Sequence, residues 1–325
     1  MTPRETFIAA LERKPITGRV PHFELDFFLT MEAFGKVHPR QRHYYQWDQM
    51  TEKERRLHRN EIADIWLAVA ERFGHSAIFV RPNPGHPEAE VFRMLDLLRE
   101  KSGDRYCLLL GGDCTYGIPS GSKMMEFTSR LADEPEKMKA EARDNVNRSL
   151  DMAERCARHG GLDGYVLTVD YCFNTGPFLS PGMFSEFVTP YLSDLIKGYR
   201  DRGFYTIKHC DGNIMPILDQ LVQARPDALH SIDPQAGVDI AEVKRLAGDR
   251  VCLVGNVNCG LLQTGTDQEV IDSARYALRS GMPGYGYIFA TSNVVYTGMR
   301  LDRYELMLSV WRTEGNYPEP EARNA

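Results

Sequence analysis

Short apolar runs alternate with amphipathic stretches along most of the chain. The apolar runs have the length and composition of buried strands, and the amphipathic stretches carry apolar residues at helical spacing. Repeated alternation of strand and helix is typical of a parallel sheet with helices packed against it. The predicted strands cover residues 22–28, 76–80, 106–112, 164–169, 204–207, 228–232, 251–257 and 287–290.

The predicted helices lie before and between these strands. Helix caps and breakers mark several of their ends, such as Gly74 after the helix that begins at Glu54. Residues 37–53, rich in aromatic and basic side chains without a clear period, are predicted to be a covering loop, and residues 82–87 a turn-rich loop. The helices are predicted at residues 2–14, 54–73, 88–100, 134–159, 180–202, 214–224, 239–246, 268–280 and 301–311.

Eight predicted strands favour one closed barrel. No dinucleotide-binding glycine fingerprint follows the first strand, which argues against a doubly wound nucleotide-binding sheet. We therefore predict an α/β fold, a single (β/α)8 TIM-type barrel domain over residues 1–325. Residues 1–20 are expected to form an N-terminal helical extension, and residues 314–325 a frayed polar tail.

The composition is that of an ordinary soluble globular protein. Hydrophobic residues make up 42% of the chain, charged residues 26%, and the formal net charge is -6. A negative net charge argues against a nucleic-acid-binding protein, because such proteins carry a positively charged surface patch. It contains no apolar run of about 18 residues that could span a membrane, and residues 1–13 lack the apolar region of a signal peptide. Seven cysteines spread along the chain do not suggest a disulfide framework, so we expect a reduced, cytoplasmic protein.

Residues 206–214 hold the densest group of reactive side chains. His209, Cys210 and Asp211 follow a predicted strand and precede an amphipathic stretch. Ligand sites of barrels and open parallel sheets form at the carboxyl ends of the strands. An imidazole, a thiol and a carboxylate in that place could bind a metal, relay a proton or hold a substrate.

Polar side chains also follow the other predicted strands. Asp170 could act as a general acid or base or anchor a ligand, although an aspartate that caps the following loop explains it equally well. We predict His209, Asp170 and Asp211 as the catalytic residues. The residues predicted to bind substrate are Glu24, Asp113, Tyr171, Asn256, Ser292 and Asn293.

A metal site would use His209 as its first ligand, and Asp211, Cys259 or a carboxylate from another strand could complete the set. Zinc accepts nitrogen, sulfur and oxygen donors, and a catalytic zinc keeps one position open. The spacing does not match a zinc ribbon. A histidine that hydrogen-bonds a substrate or a neighbouring carboxylate explains the same residues, and both interpretations stay open at this point.

Several segments together resemble the uroporphyrinogen decarboxylase superfamily. The resemblance extends over residues 2–311 and implies a single TIM-type barrel with its site at the carboxyl ends of the strands. The superfamily contains tetrapyrrole decarboxylases and methyltransferases that move methyl groups to or from a corrinoid or a thiol. The segments are Arg4-Glu5-Thr6-Phe7, Arg19-Val20-Pro21, Asp170, Ser180-Pro181-Gly182-Met183-Phe184, Pro190-Tyr191, His209-Cys210-Asp211-Gly212-Asn213-Ile214, Asp239-Ile240-Ala241-Glu242-Val243-Lys244 and Gly255-Asn256-Val257.

This sequence departs from the family patterns in two places, and these departures indicate which branch of the superfamily it resembles most. The decarboxylases carry an arginine-rich N-terminal signature that holds the carboxylates of the substrate, whereas residues 23–34 contain no arginine. The thiol-methylating members bind zinc with His, one residue, then Cys, and a second Cys near the last strand. Here Asp211 stands at the first cysteine position and Ser292 or a neighbour at the second, and oxygen ligands do not suit thiolate activation.

The resemblance therefore implies a corrinoid-dependent methyltransferase, most similar to the O-demethylases. It would move a methyl group from a small methylated donor, above all a methoxylated one, to a corrinoid carried by a partner protein. His209 with Asp211 would bind Zn2+ or donate a proton to the leaving oxygen. The expected partners are the methyl donor and the corrinoid protein, and a homodimer is compatible with the sequence. The rivals are a decarboxylase of a small or tetrapyrrole carboxylic acid and a barrel that only binds a ligand.

Overall fold

The structure, a computed structural model, describes residues 1–81 and 88–318. The turn-rich loop predicted at residues 82–87 and the last part of the predicted tail, residues 319–325, lie outside the described residues. Within the described part of the chain, no helix is both long and apolar enough to cross a membrane. The seven cysteines are all free thiols.

Parallel strands form one curved sheet at the centre of the molecule. In chain order the described strands are β1 (Ala77–Phe79), β2 (Cys107–Gly111), β3 (Gly164–Leu167), β4 (Cys172–Phe173), β5 (Gly176–Pro177), β6 (Tyr205–His209), β7 (Ala228–His230), β8 (Cys252–Val257) and β9 (Tyr287–Thr291). The sheet has the order β1-β2-β3-β6-β7-β8-β9, while β4 and β5 form a separate antiparallel pair. Almost every residue of the sheet is buried, as expected for parallel strands covered on both faces.

The segment around His22 closes this sheet into a barrel. His22 forms parallel bridges to His75, just before β1, and to Phe289 of β9. The N–H of Ser76 donates to the carbonyl of His22 at 2.7 Å, and the N–H of Phe289 donates to the carbonyl of Pro21 at 2.9 Å. The segment predicted as a strand at residues 22–28 therefore lies between the first and last strands of the sheet. It forms isolated bridges instead of a continuous strand, because its second half leaves the sheet and Phe27 pairs with Val295. The predicted TIM-type barrel is confirmed.

Helices surround the barrel and follow the predicted pattern closely. Among the described residues they are α1 (Pro3–Leu11), α2 (Thr30–Phe34), α3 (Glu52–Phe73), α4 (Glu88–Ser102), α5 (Met124–Asp133), α6 (Pro135–His159), α7 (Pro181–Phe187), α8 (Thr189–Asp201), α9 (Leu218–Gln223), α10 (Ile240–Ala247), α11 (Cys259–Thr264), α12 (Asp267–Gly281) and α13 (Leu301–Glu314). The sequence pattern missed α2, α5, α11 and the β4–β5 pair. Most of these elements are too short to show a period in the sequence.

Candidate functional site

His209 is the last residue of β6, and its side chain is buried where the strands end, a region here called the barrel mouth. The β-branched Thr206 and Ile207 favour the strand that leads to it. The turn that follows requires Gly212, whose φ of 81° is left-handed. A Cβ at this position would lie 2.5 Å from the carbonyl oxygen of Cys172, so that a larger residue would force the turn to move.

Two carboxylates face Nε2 of His209. This nitrogen lies 3.6 Å from Oδ1 of Asp170 and 3.6 Å from Oδ1 of Asp211. Burial lowers the pKa of His209, but the contact with Asp211 and the charges of both carboxylates outweigh it, so the pKa is raised. For Asp211, burial raises the pKa and the contact with His209 lowers it, with a net lowering. The pair therefore favours an imidazolium beside a carboxylate.

The other ring nitrogen of His209 is bonded to a second histidine, His230. The two Nδ1 atoms lie 2.7 Å apart, and the two residues are register partners on β6 and β7. Burial and the charge of His209 lower the pKa of His230 to about 3. His230 is then neutral at pH 7, and its Nδ1 accepts the proton carried by Nδ1 of His209. This bond fixes the ring of His209 so that Nε2 points to the carboxylates. The sequence offered one signal for this residue, a second histidine at the end of the next strand.

Asp211 is held in place by Ser231 and Asn293. The Ser231 hydroxyl donates to Oδ1 of Asp211 at 2.8 Å, and the side-chain amide of Asn293 donates to Oδ2. Ser231 and Ile232 have left-handed φ angles of 89° and 49°, which L-residues and especially β-branched ones avoid. The strained turn after β7 thus delivers the hydroxyl to Asp211. The structure brings Asn293, a predicted substrate contact, to the site through this bond.

Asp170 gives the site its access to solvent. Its side chain is 42% exposed, and Oδ1 accepts the N–H of Asp211 at 2.9 Å. The loop after β3 and the turn after β6 are therefore linked directly. Asp170 is therefore more accessible to a ligand at the barrel mouth than His209, whose side chain is 5% exposed.

Asp113 lies beneath this group in a buried ion pair. Nζ of Lys208 donates to Oδ2 of Asp113 at 2.7 Å and to the carbonyl of Val169 at 2.8 Å. The Asp113 carboxylate also accepts the Thr115 hydroxyl and the N–H of Val169. Burial raises the pKa of Asp113, but Lys208 and these donors outweigh it and the pKa is lowered. With its side chain 2% exposed, Asp113 supports the loop that carries Asp170, and its contact with substrate stays a prediction.

Three further residues predicted to bind substrate are engaged by protein partners. The hydroxyl of Tyr171 lies 2.6 Å from Oγ1 of Thr115, and the side-chain amide of Asn256 donates to the carbonyl of Ile232 at 2.8 Å. Oγ of Ser292 accepts the N–H of Cys259 at 3.3 Å. All three side chains are buried. Their contacts stabilise the loops of the barrel mouth, and a direct role in substrate binding stays a prediction.

Asp170, His209 and Asp211 form the group that could hold a metal ion among the described residues. Their ligand atoms all lie within 4.8 Å of one another. Cys259 is not in this group; it begins α11, and its Sγ receives a long contact of 3.7 Å from Gln235. Of the alternatives for the third ligand, the geometry therefore favours a carboxylate from another strand, that of Asp170, over the thiol of Cys259. One imidazole nitrogen with two carboxylate oxygens fits a divalent cation that keeps positions open for substrate.

Glu24 is a buried acid at the end of the closing segment. Its carboxyl group accepts the N–H and the hydroxyl of Thr291, the latter at 2.5 Å. Burial raises the pKa of Glu24 to about 8, although these bonds lower it, and burial lowers the pKa of His22, 3.9 Å away, to about 4. Both groups are mainly neutral at pH 7. Glu24 borders a cavity of about 30 Å³, room for one water molecule, so substrate contact by Glu24 also stays a prediction.

Replacing Glu24 by Gln should remove a pH dependence of stability. The folded-state pKa of about 8 lies above the ordinary value of 4.5, so between these values the folded state binds more protons than the unfolded state. Stability then falls as the pH rises through that window. For Glu24 the loss from pH 6 to pH 8 is about 2 kcal/mol.

Urea unfolding of both proteins at pH 6 and pH 8 measures this effect. The variant should gain about 2 kcal/mol relative to the wild type over that range. A difference between the two proteins that stays constant with pH would show that Glu24 does not titrate there.

Two arginines reach the barrel mouth from segments that the sequence pattern did not connect with it. Nη1 of Arg40 lies 2.6 Å from Oδ2 of Asp26, and Nε of Arg81 lies 3.0 Å from the same oxygen. Residues 23–34 lack arginine, as noted from the sequence, but the fold supplies two. One carboxylate shared by two guanidinium groups leaves a net positive charge at this edge of the mouth.

Comparisons with known proteins agree with the barrel. A protein-family model described as uroporphyrinogen decarboxylase (URO-D) matches residues 114–313, whereas no curated protein sequence matches the chain. A methyltransferase from Methanosarcina mazei has the same fold, with a TM-score of 0.73, 17% identity and coverage of 96% of this chain and 98% of that chain.

A second solved structure supports the same architecture. The putative vitamin-B12 independent methionine synthase from Listeria monocytogenes superposes with a TM-score of 0.53 and 12% identity, covering 90% of this chain and 95% of its own. At such identities the likeness concerns the fold alone. The family match covers more than half of the chain and includes Asp170, His209 and Asp211, and the protein therefore belongs to the uroporphyrinogen decarboxylase (URO-D) family.

Proposed function

We propose that this protein is a methyltransferase that moves a methyl group from a small methoxylated donor to a corrinoid carried by a partner protein. The observation that carries the proposal is His209, held with Nε2 between Asp170 and Asp211 at the barrel mouth. A demethylation breaks a carbon–oxygen bond, and the oxygen leaves with the electron pair. A positioned acid that protonates this oxygen lowers the barrier.

Three residues would contribute to this reaction. His209 would donate its Nε2 proton to the leaving oxygen, since the two carboxylates favour its protonated form. His230 keeps the ring in position through the Nδ1 contact, and Asp170 is exposed enough to contact the donor. The reduced corrinoid would supply the nucleophile that accepts the methyl group.

A metal ion is the alternative means of stabilising the leaving oxygen. Zinc held by Asp170, His209 and Asp211 would supply a Lewis acid at the same place. The set lacks thiolate ligands, which suits an oxygen-bound methyl donor better than the activation of a thiol acceptor. Nε2 of His209 cannot bind a metal and carry a proton together, so the two versions exclude each other.

Exposed apolar side chains near the barrel mouth support a protein partner. Met125 on α5, Phe173 on β4 and Met183 on α7 are all exposed, Met125 by 83%. These elements follow β2 and β3 and therefore lie on the side of the molecule where the strands end. The rings of Phe127 on α5 and of Phe173 both lie 6.2 Å from that of Phe178, so α5 and β4 are neighbours. Exposed apolar groups on neighbouring elements are typical of protein-interaction surfaces, and a corrinoid protein would have to dock on this side.

A decarboxylase of a small carboxylic acid is the second candidate. The observation that favours it is the pair Arg40 and Arg81, which share the single carboxylate of Asp26. Their surplus positive charge could bind a substrate carboxylate. The same charge could equally hold a methoxylated donor that bears a carboxylate, so it does not by itself separate the two reactions.

An assay with free reduced cobalamin distinguishes methyl transfer from decarboxylation. The protein is incubated with the cobalamin and either 2-methoxyphenol or 3-methoxybenzoate, and both the corrinoid spectrum and the products are followed. We expect enzyme-dependent loss of the reduced corrinoid with one demethylated phenol formed per methyl group transferred. Release of carbon dioxide without any need for the corrinoid would favour the decarboxylase instead. Absence of demethylated product from both ethers would refute the O-demethylase proposal.

A further inference from the structure

Four arginines line a cavity at the opposite end of the barrel from His209. The cavity has a volume of about 670 Å³. Arg200 lies near the end of α8, before β6, while Arg225 and Arg250 come just before β7 and β8. Arg13 follows α1 and completes the group. The cavity therefore lies where the strands begin, away from the proposed reaction site.

These guanidinium groups have few anionic partners. Within the described residues, the closest carboxylate contact of the four is that between Arg250 and Asp249, at 3.8 Å. Arg13 and Arg200 donate instead to backbone carbonyls near helix ends. The side chain of Arg225 makes no hydrogen bond or ion pair with the part of the chain that the structure describes. Since each guanidinium carries five N–H donors, most of these donors are free to meet a ligand.

The two carboxylates at the cavity offset only half of the charge of its four arginines. Asp227 accepts the N–H of Thr206 at 2.7 Å and its hydroxyl at 3.1 Å; burial raises its pKa, while its bonds to Thr206 and the charges of Arg200 and Arg13 lower it. Asp249 is 84% exposed to solvent. The cavity therefore keeps an excess of positive charge in a chain whose net charge is -6.

Two of the arginines occupy backbone positions that suit glycine. Arg13 and Arg225 have left-handed φ angles of 55° and 60°, one residue beyond the caps Glu12 and Ala224 of α1 and α9. Helices commonly end with glycine in this place, because an L-residue there is strained. An arginine at either position therefore does not stabilise the backbone conformation. We attribute its presence to its side chain, which lines the cavity.

We propose that this cavity binds a phosphate-bearing small molecule. Guanidinium groups match the oxygens of a phosphate in pairs of hydrogen bonds. The volume lies within the range of about 300–1,000 Å³ that is usual for small-molecule sites. Val222 and Pro226 on the wall offer an apolar surface for an organic group attached to the phosphate. Nothing in this proposal depends on the reaction proposed for the barrel mouth.

Titration calorimetry of the full chain tests the site with inorganic phosphate and ribose 5-phosphate at constant ionic strength. We expect saturable binding of at least one. If ribose 5-phosphate binds at least tenfold more tightly than phosphate, the cavity is a site for phosphate esters. If the two affinities are equal, it is a site for the free anion. Lack of binding of either at millimolar concentration would overturn the proposal.

Matched variants show whether the arginines form the site. Arg225→Gly removes one guanidinium and places glycine in a left-handed position, so it should weaken binding at least tenfold without lowering the melting temperature. Arg56→Gln on α3 removes an exposed charge elsewhere and should leave the affinity unchanged. Equal weakening in both variants would mean a general charge effect and would also overturn the proposal.

Discussion

His209→Ala should lower the rate of methyl transfer by a factor of about 10²–10⁴, the usual contribution of a positioned acid or base. The substitution removes the one imidazole nitrogen that lies between Asp170 and Asp211. It also leaves the two carboxylates facing each other without a cation. The measurement is the initial rate with saturating ether and reduced cobalamin.

His159→Ala is the matched control for this variant. His159 is an exposed histidine that stacks on Phe92 at the end of α6, just before β3 begins, at the opposite end of the barrel from His209. Its removal should leave the rate unchanged. Thermal unfolding of both variants confirms that they are folded. A wild-type rate in His209→Ala would remove this residue from the mechanism.

Elemental analysis of the same proteins decides between the two chemical roles of His209. About one zinc ion per chain in the wild type, lost in His209→Ala, would identify a Lewis-acid site. Absence of metal from both proteins would leave His209 as a proton donor. Either result is independent of the rate measurement, because metal content does not require the methyl donor to be known.

The sequence was sufficient to predict the element that carries the site. Residues 204–207 are apolar and partly β-branched, and Gly212 marks the turn that follows, so β6 and the location of His209 at its end could be inferred locally. The same reasoning placed Asp170 at the end of β3. Such inferences succeed because the period of a buried strand and the needs of a tight turn depend on neighbouring residues alone.

The partners of these residues depend on contacts that the local pattern does not contain. His230 meets His209 because β6 and β7 are paired in one register, and Arg40 and Arg81 reach Asp26 from separate loops. Neither arrangement can be deduced from spacing along the chain.

Asp113 and Asp170 are a second case in which the contacts of a residue could not be predicted from its position in the sequence. Both follow a predicted strand, and the pattern along the chain does not show which of the two carboxylates is buried. In the folded chain Asp113 turns inward to Lys208 while Asp170 stays half-exposed. The difference arises because β6 places a lysine in the barrel interior, and a buried ammonium group requires a carboxylate.

Lys208→Met should lower the free energy of unfolding by about 3–5 kcal/mol, the usual cost of breaking a buried ion pair from one side. Both side chains are almost completely buried, and Nζ lies 2.7 Å from Oδ2 of Asp113. Methionine fills similar space but leaves the Asp113 carboxylate buried without its cation. Urea unfolding at pH 7 gives the loss directly.

Arg245→Met provides the control, since Arg245 and Glu242 form an exposed ion pair on α10. Exposed ion pairs contribute little to stability, because water screens them, so the two substitutions should differ several-fold in their effect. Adding Asp113→Asn to Lys208→Met should recover part of the lost stability, because it removes the unpaired charge. Equal losses in Lys208→Met and Arg245→Met would mean that water reaches Asp113, and that the loop before Asp170 does not depend on a buried charge pair.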